Sequence, residues 1–162
     1  MATTFTKIAS VTVGSGGSAS MTFSSIPSTY TDLCVKLSVS AATSNGFEMT
    51  INGSSANFTY RLLEGDGAAA ASYNGSTGRI AYAFSSATIF SNVEVYISNY
   101  AGSTNKSFST DGVSEQNATT AYADLSASLW SQTTAINALG FNFSAGNVRE
   151  YSTATLYGIK SS

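Results

Sequence analysis

Apolar residues alternate with small polar ones in short runs along nearly the whole chain, and Gly, Asn or Ser separates one run from the next. Such a period of two specifies β-strands, because only a pleated backbone sends successive side chains to opposite faces. Phe5, Lys7, Ala9, Val11 and Val13 alternate with Thr4, Thr6, Ile8, Ser10 and Thr12. The run stops at Gly14-Ser15-Gly16-Gly17 and resumes as Ala19, Met21 and Phe23, a pattern that predicts a hairpin with a glycine turn. Pro27, which cannot donate to a ladder, interrupts the pattern. Leu33, Val35, Leu37 and Val39 then make a clean strand, followed by a turn at Thr43 to Gly46. Phe47, Met49 and Ile51 make the next strand, closed at Asn52-Gly53, a pair suited to a two-residue turn because both positions tolerate positive φ. Phe58, Tyr60 and Leu62 follow.

From Glu64 to Gly78 the alternation fades into a stretch rich in Gly and Ala, which reads as a long surface loop. Ile80, Tyr82 and Phe84 restore the strands, as do Phe90, Val93, Val95 and Ile97, where the slip near Asn92 predicts a bulge. Ser98 to Asn105 forms a turn and Lys106 to Val113 a strand. Ala121, Ala123, Leu125, Ala127 and Leu129 alternate without a fault with Tyr122, Asp124, Ser126, Ser128 and Trp130, which favours a strand over a helix built on Ala121, Leu125 and Leu129. Ile136 to Phe143 and Ser152 to Ile159 complete the set. Ten or eleven strands with short connections predict an all-β fold: an antiparallel β-sandwich, jelly-roll-like, of about ten strands, in one domain spanning residues 1–162.

The side chains available restrict the chemistry. The chain has no His and a single Cys, so imidazole-dependent nucleophile pairs and acid–base pairs are ruled out, and a transition-metal site or other cofactor is not expected. Only 10% of residues are charged, whereas 29 Ser, 20 Thr and 11 Asn supply the polar surface. Seven Lys and Arg against nine Asp and Glu give a net charge of −2 with no basic stripe, which argues against nucleic acid as a partner. No apolar run approaches the ~18 residues of a membrane span, and no basic and apolar leader opens the sequence, so neither a membrane partner nor export is expected.

Cys34 lies in the alternating run Leu33 to Leu37 with no local base or cation to activate it, and is expected to be an inert strand residue. Glu64-Gly65-Asp66-Gly67 places two carboxylates on flexible backbone, a spacing that superficially suits calcium or a pair of glycosidase acids and reads more simply as a solvated turn. Nineteen aromatics include Tyr73, Tyr96, Tyr100, Tyr122, Tyr151 and Trp130, candidates for stacking on sugar rings or for a protein interface. Asn-x-Ser/Thr sequences at Asn52, Asn57, Asn74, Asn105, Asn117 and Asn142 are what so much Ser and Thr produces by chance. Four Lys, three Arg and one Pro are few for guarding sheet edges, so the edges are expected to be closed or covered by neighbouring subunits.

Several stretches carry a family resemblance. Phe23-Ser-Ser-Ile-Pro-Ser-Thr-Tyr-Thr-Asp-Leu33, Tyr96-Ile-Ser-Asn-Tyr-Ala-Gly-Ser-Thr-Asn-Lys-Ser107, Asn117-Ala-Thr-Thr-Ala-Tyr122, Leu129-Trp130-Ser131 and Tyr151-Ser-Thr-Ala-Thr-Leu-Tyr-Gly-Ile-Lys160 resemble small virion structural proteins of tailed bacteriophages, especially those infecting cyanobacteria and other aquatic bacteria. The resemblance runs through nearly the whole chain in the same order. It implies a non-enzymatic, cofactor-free virion subunit: a capsid decoration (cement) protein assembled in the host cytoplasm. Its expected partners are the major capsid protein, whose outer face it clamps, and itself, as a homo-oligomer with a trimer favoured. A tail or fibre module recognising host glycan through Tyr side chains and Trp130 is the alternative. For the interface the expectation falls on the N-terminal run Thr3, Thr4, Phe5, Thr6 and Lys7. No catalytic or metal-binding residue is implied.

Overall fold

In the computed structural model the described residues are 4–84, 88–117 and 120–160. They form twelve strands and no helix: β1 (Phe5–Thr12), β2 (Met21–Phe23), β3 (Asp32–Val39), β4 (Asn45–Ile51), β5 (Phe58–Gly65), β6 (Ala70–Gly75), β7 (Arg79–Ala83), β8 (Ser91–Ile97), β9 (Lys106–Glu115), β10 (Ala121–Trp130), β11 (Leu139–Phe143) and β12 (Thr153–Ile159). All pairings are antiparallel, in an eight-stranded sheet ordered β1-β12-β3-β8-β9-β10-β5-β6 and a four-stranded sheet ordered β2-β11-β4-β7. Setting aside β5, β6, β9 and β10 leaves two sheets, β1-β12-β3-β8 and β2-β11-β4-β7. Their strands alternate between sheets in chain order except at β4 and β7, which pair within the narrow sheet, and this is jelly-roll topology. The hairpins β5–β6 and β9–β10 are insertions that widen one sheet to twice the width of the other.

Between the sheets the alternating runs supply a continuous apolar core. Leu33, Val35, Leu37 and Val39 of β3, Val93, Val95 and Ile97 of β8, and Leu156 of β12 meet Phe47, Met49 and Ile51 of β4 and Phe141 of β11. Phe47 stacks on Phe141 at 6.2 Å and tilts against Phe143 at 4.7 Å. Tyr100 is fully buried and donates its hydroxyl to the carbonyl of Pro27. Asn52 and Gly53 have φ of 52° and 76°, and Ile51 and Ser54 exchange both backbone hydrogen bonds, so the Asn-Gly turn forms as its residue types require.

Elsewhere long-range pairing overrides the local pattern. Gly14 to Gly17 does not close a hairpin. β1 pairs with β12 in the wide sheet and β2 with β11 in the narrow one, so the loop crosses between sheets. The stretch from Glu64 to Gly78 is not one long loop, because β6 lies within it and pairs residue for residue with β5. The alternation in β8 does not slip: Asn92 stays in register between Ser38 and Val113. The irregularities fall instead between Lys7 and Ala9 in β1 and between Phe47 and Glu48 in β4. The first of these turns Phe5 and Lys7 to one face of the sheet and Ala9 and Val11 to the other.

Candidate functional site

The inserted strands invert the ordinary binary pattern. Along β10 the polar set, Asp124, Ser126 and Ser128, is buried with Trp130, whereas Ala121, Ala123, Leu125 and Ala127 face outward. Along β9, Thr110, Gly112 and Ser114 are inside and Val113 outside. The inward polar groups serve β7, the edge strand of the narrow sheet, which crosses above them. Thr110 Oγ1 donates to the carbonyl of Ile80 at 2.8 Å, and Asp124 Oδ2 accepts the Tyr82 amide at 2.7 Å. A side chain at Gly112 would bring its Cβ to 3.0 Å from that of Ala81, so glycine lets β7 approach this closely.

Asp124 is only 3% exposed, and burial pushes its carboxyl up to about 6. The Tyr82 amide and Arg79 oppose that shift and Glu64 reinforces it. Glu64 is held by an ion pair to Arg79 at 3.0 Å, and the Arg79 guanidinium also lies over the Tyr73 ring. Among the described residues Oδ1 of Asp124 has no hydrogen-bond partner. A proton there makes it a donor toward Glu64, so the neutral acid fits this interior better than the carboxylate does.

The two acids singled out from the sequence do not converge. Glu64 points inward to Arg79, whereas Asp66 caps its own turn, its Oδ1 accepting the amides of Ala68 at 2.9 Å and Ala69 at 2.7 Å. Those amides hold the Asp66 carboxyl below the usual range. The acid that does lie beside Glu64 is Asp124, hidden in a perfect strand alternation. Among the described residues no three Asp, Glu or Cys side chains gather as a metal site. Cys34 is buried on the outer side of β3, and burial raises its thiol to about 11, which makes it a poor nucleophile. Trp130 is 4% exposed and Tyr100 fully buried, so neither presents a ring for stacking; packing with the core claims both. Tyr73, Tyr96 and Tyr151 do reach the surface. Of the N-terminal run, Thr3 lies outside the described residues. Thr4, Phe5, Thr6 and Lys7 follow the edge strand β1, where Phe5 stands edge-on to Tyr157.

The outer face of the wide sheet divides into two halves. Over β3 and β8 it is polar and tied together: Lys36 bridges to Glu94 at 2.5 Å, and Tyr96 donates to Asp32 at 2.6 Å, which pushes the Tyr96 hydroxyl up to about 12, while at the β1 edge Phe5 stays half exposed against Tyr157. Over the inserted strands an apolar stripe runs along β10 and onto its neighbours, flanked by outward Asp111 and Glu115 of β9 and Arg61 of β5. Leu63 is 59% exposed, Leu125 57% and Val113 49%. Leu125 pairs directly with Leu63, and Ala123 with Val113. Leu63, Leu125, Ala123 and Ala70 line a shallow groove of about 500 Å³ on this half, with Asp111 at its side. A second groove, of about 470 Å³, lies at the loop end of the sandwich between Ser15 to Gly17 and Asn147 to Glu150. The next residue, Tyr151, is 70% exposed with φ of 65°. Its amide bonds to Val13 and the following Ser152 is buried against the Ser40 amide, so the ring is presented from a fixed backbone. Comparison with protein-family models, curated proteins and solved structures finds no match to the chain.

Proposed function

We propose that the chain is a structural subunit of a tailed-bacteriophage virion, a decoration protein that binds the outer surface of the major capsid shell as a homo-oligomer and stabilises it by binding alone. One observation carries the reading: a sheet of regular antiparallel strands turns an apolar patch, Leu63, Leu125 and Val113 with Ala123 between them, to the outside. Contiguous exposed apolar patches rimmed by polar residues mark interaction sites. The fold adds rigidity, and a subunit that engages several capsomers at once gains effective concentration. The resemblance of its turn and packing segments to phage virion proteins supplies the context.

The test is the copy number of the chain per purified virion, by quantitative mass spectrometry against the major capsid protein. A fixed ratio to the capsid protein is expected, because shell symmetry repeats every site. A few copies, or none, would overturn the decoration role, as would equal bursting temperatures for stripped and decorated particles.

Tyr151 favours a second reading, a tail or fibre module that binds host glycan. Tyr151 directly follows Glu150, which lines a polar groove with Asn147 and Arg149, and an exposed ring next in the chain to hydrogen-bonding groups suits a sugar. Loss of host adsorption in Tyr151→Ala, with melting unchanged, supports that reading, and unaltered adsorption removes it.

A further inference from the structure

A sandwich of open sheets has four edges, and three of them here are guarded. β1 carries Lys7 and a register break between Lys7 and Ala9. β2 is only three residues long. The free side of β7 is bonded by the Thr110 and Asp124 side chains, which take the Ile80 carbonyl and the Tyr82 amide. A short strand, a bulge, a lysine and a covered backbone are the devices by which sheets prevent further pairing. β6 has none of them. Its six residues, Ala70-Ala71-Ser72-Tyr73-Asn74-Gly75, pair with β5 without a break and contain no charge and no proline. Among the described residues no hydrogen bond reaches its other side.

We infer that β6 is the edge on which a second copy of this chain docks, antiparallel and about a two-fold axis normal to the sheet, so that two eight-stranded sheets run on as one. This inference rests on the oligomeric decoration reading and names its seam. The occupant follows from the other edges. A head-to-tail contact would need β6 to meet a different edge of its neighbour, and each of those is guarded, whereas β6 against β6 closes the pair and leaves no edge for a third copy. Self-pairing is also acceptable chemically. An axis normal to the sheet opposes Ala70, Ser72 and Asn74 to one another on the outer face and Ala71, Tyr73 and Gly75 on the inner, so no like charges meet. The seam is a pair, where the resemblance implies a trimer. It also joins the two outer apolar grooves, since an axis normal to the sheet keeps each face on its own side. Leu63 and Leu125 of both copies then flank one continuous surface.

Sedimentation equilibrium of the full chain is expected to give twice the 16.7 kDa chain mass. Ser72→Lys, which places a like charge on both sides of the seam, should halve that mass, while Ser10→Lys on β1 should leave it unchanged. Single cysteines placed in turn at 71, 72, 73 and 74 supply a readout that survives a misfolded lysine variant. Directly opposed residues of an antiparallel pair lie about 4.5–5.5 Å apart at Cα, within the roughly 4.4–6.8 Å a disulfide spans. The position on the axis should therefore cross-link to a dimer under mild oxidation, with buried Cys34 silent. A monomeric wild-type chain, or a dimer that neither Ser72→Lys dissolves nor any of these cysteines traps, overturns the inference. A monomer that still coats stripped capsids sinks the seam and leaves the decoration role standing. A β6-linked dimer absent from virions does the reverse.

Discussion

The two halves of the wide sheet use the same strand geometry and opposite chemistry. Over β3, β8 and β12 the apolar set is inside and the outer face is closed by short polar contacts, Lys36 to Glu94 and Tyr96 to Asp32. Over β9 and β10 hydroxyls and a carboxyl join Phe108 and Trp130 inside, and Val113 and Leu125 lie outside beside Leu63 of β5. The first half is a jelly-roll sheet that needs only its partner sheet. In the second, the inward polar groups satisfy the β7 backbone, and the outward ones remain available to something else. The lesson is that a binary pattern separates two faces without saying which of them is the inside; the neighbouring element decides.

The contrast is broken most directly by truncating one leucine in each half. Leu156→Ala, fully buried on β12, should destabilise the chain by about 2–5 kcal/mol in denaturant unfolding, the range for leucine cavities. Leu125→Ala should stay within about 0.5 kcal/mol, as surface changes do. Equal losses would mean that the inserted half is packed like the other. Next in size is the carboxyl beneath β7. The Asp124 pKa is raised in the folded chain, so its protonated form stabilises fully below the unfolded value of 3.8, and that contribution is lost as pH rises through about 6. Asp124→Asn keeps an acceptor for the Tyr82 amide and removes the charge. It should raise stability at pH 8 by up to about 3 kcal/mol, two pK units at 1.36 kcal/mol each, and abolish the decline between pH 4 and 6 expected in melting curves of the parent chain.

Smaller still is the effect of Leu63→Ser with Leu125→Ser, which should leave the melting temperature nearly unchanged while lowering affinity for stripped capsids. Retained coating by that double variant would place the contact on another face. The smallest effect belongs to the polar half. A double-mutant cycle on Lys36 and Glu94 should give about 0.2–1 kcal/mol, reduced by salt, because both side chains are largely exposed.

Strand positions in the jelly-roll half were legible because one face of each is apolar and buried, as in Leu33 to Val39, and the Asn52-Gly53 turn was legible because its φ values demand those residues. β6 was not. An edge strand with Ala71, Ser72, Tyr73 and Asn74 in succession buries no face, so backbone pairing with β5 forms it without a side-chain pattern. The Gly14 to Gly17 loop looks like a hairpin turn locally, and only the remote partners of β1 and β2 send those strands to different sheets. The apolar patch was hidden for a related reason. The alternation of β10 was plain, but placing Asp124 and Ser126 inside required β7 above them, some 40 residues away in the chain. Tyr151 was named from its position near a loop, whereas Trp130, named for the same role, belongs to the core.

The pairing of β1 with β12 also sets a clock. Phe5 to Thr12 has its hydrogen-bonding partner at Thr153 to Ile159, roughly 140 residues later. At translation rates of about 5–20 residues per second, the first strand waits between roughly 7 and 30 s for the last one to be made. Contacts of that sequence separation also belong to slow folders. During that interval β1 is an unpaired alternating strand with Lys7 as its one guard, because the break between Lys7 and Ala9 forms only against β12. Refolding from denaturant, which presents both ends at once, is a different process from synthesis, and the two should differ most in how much aggregate they leave.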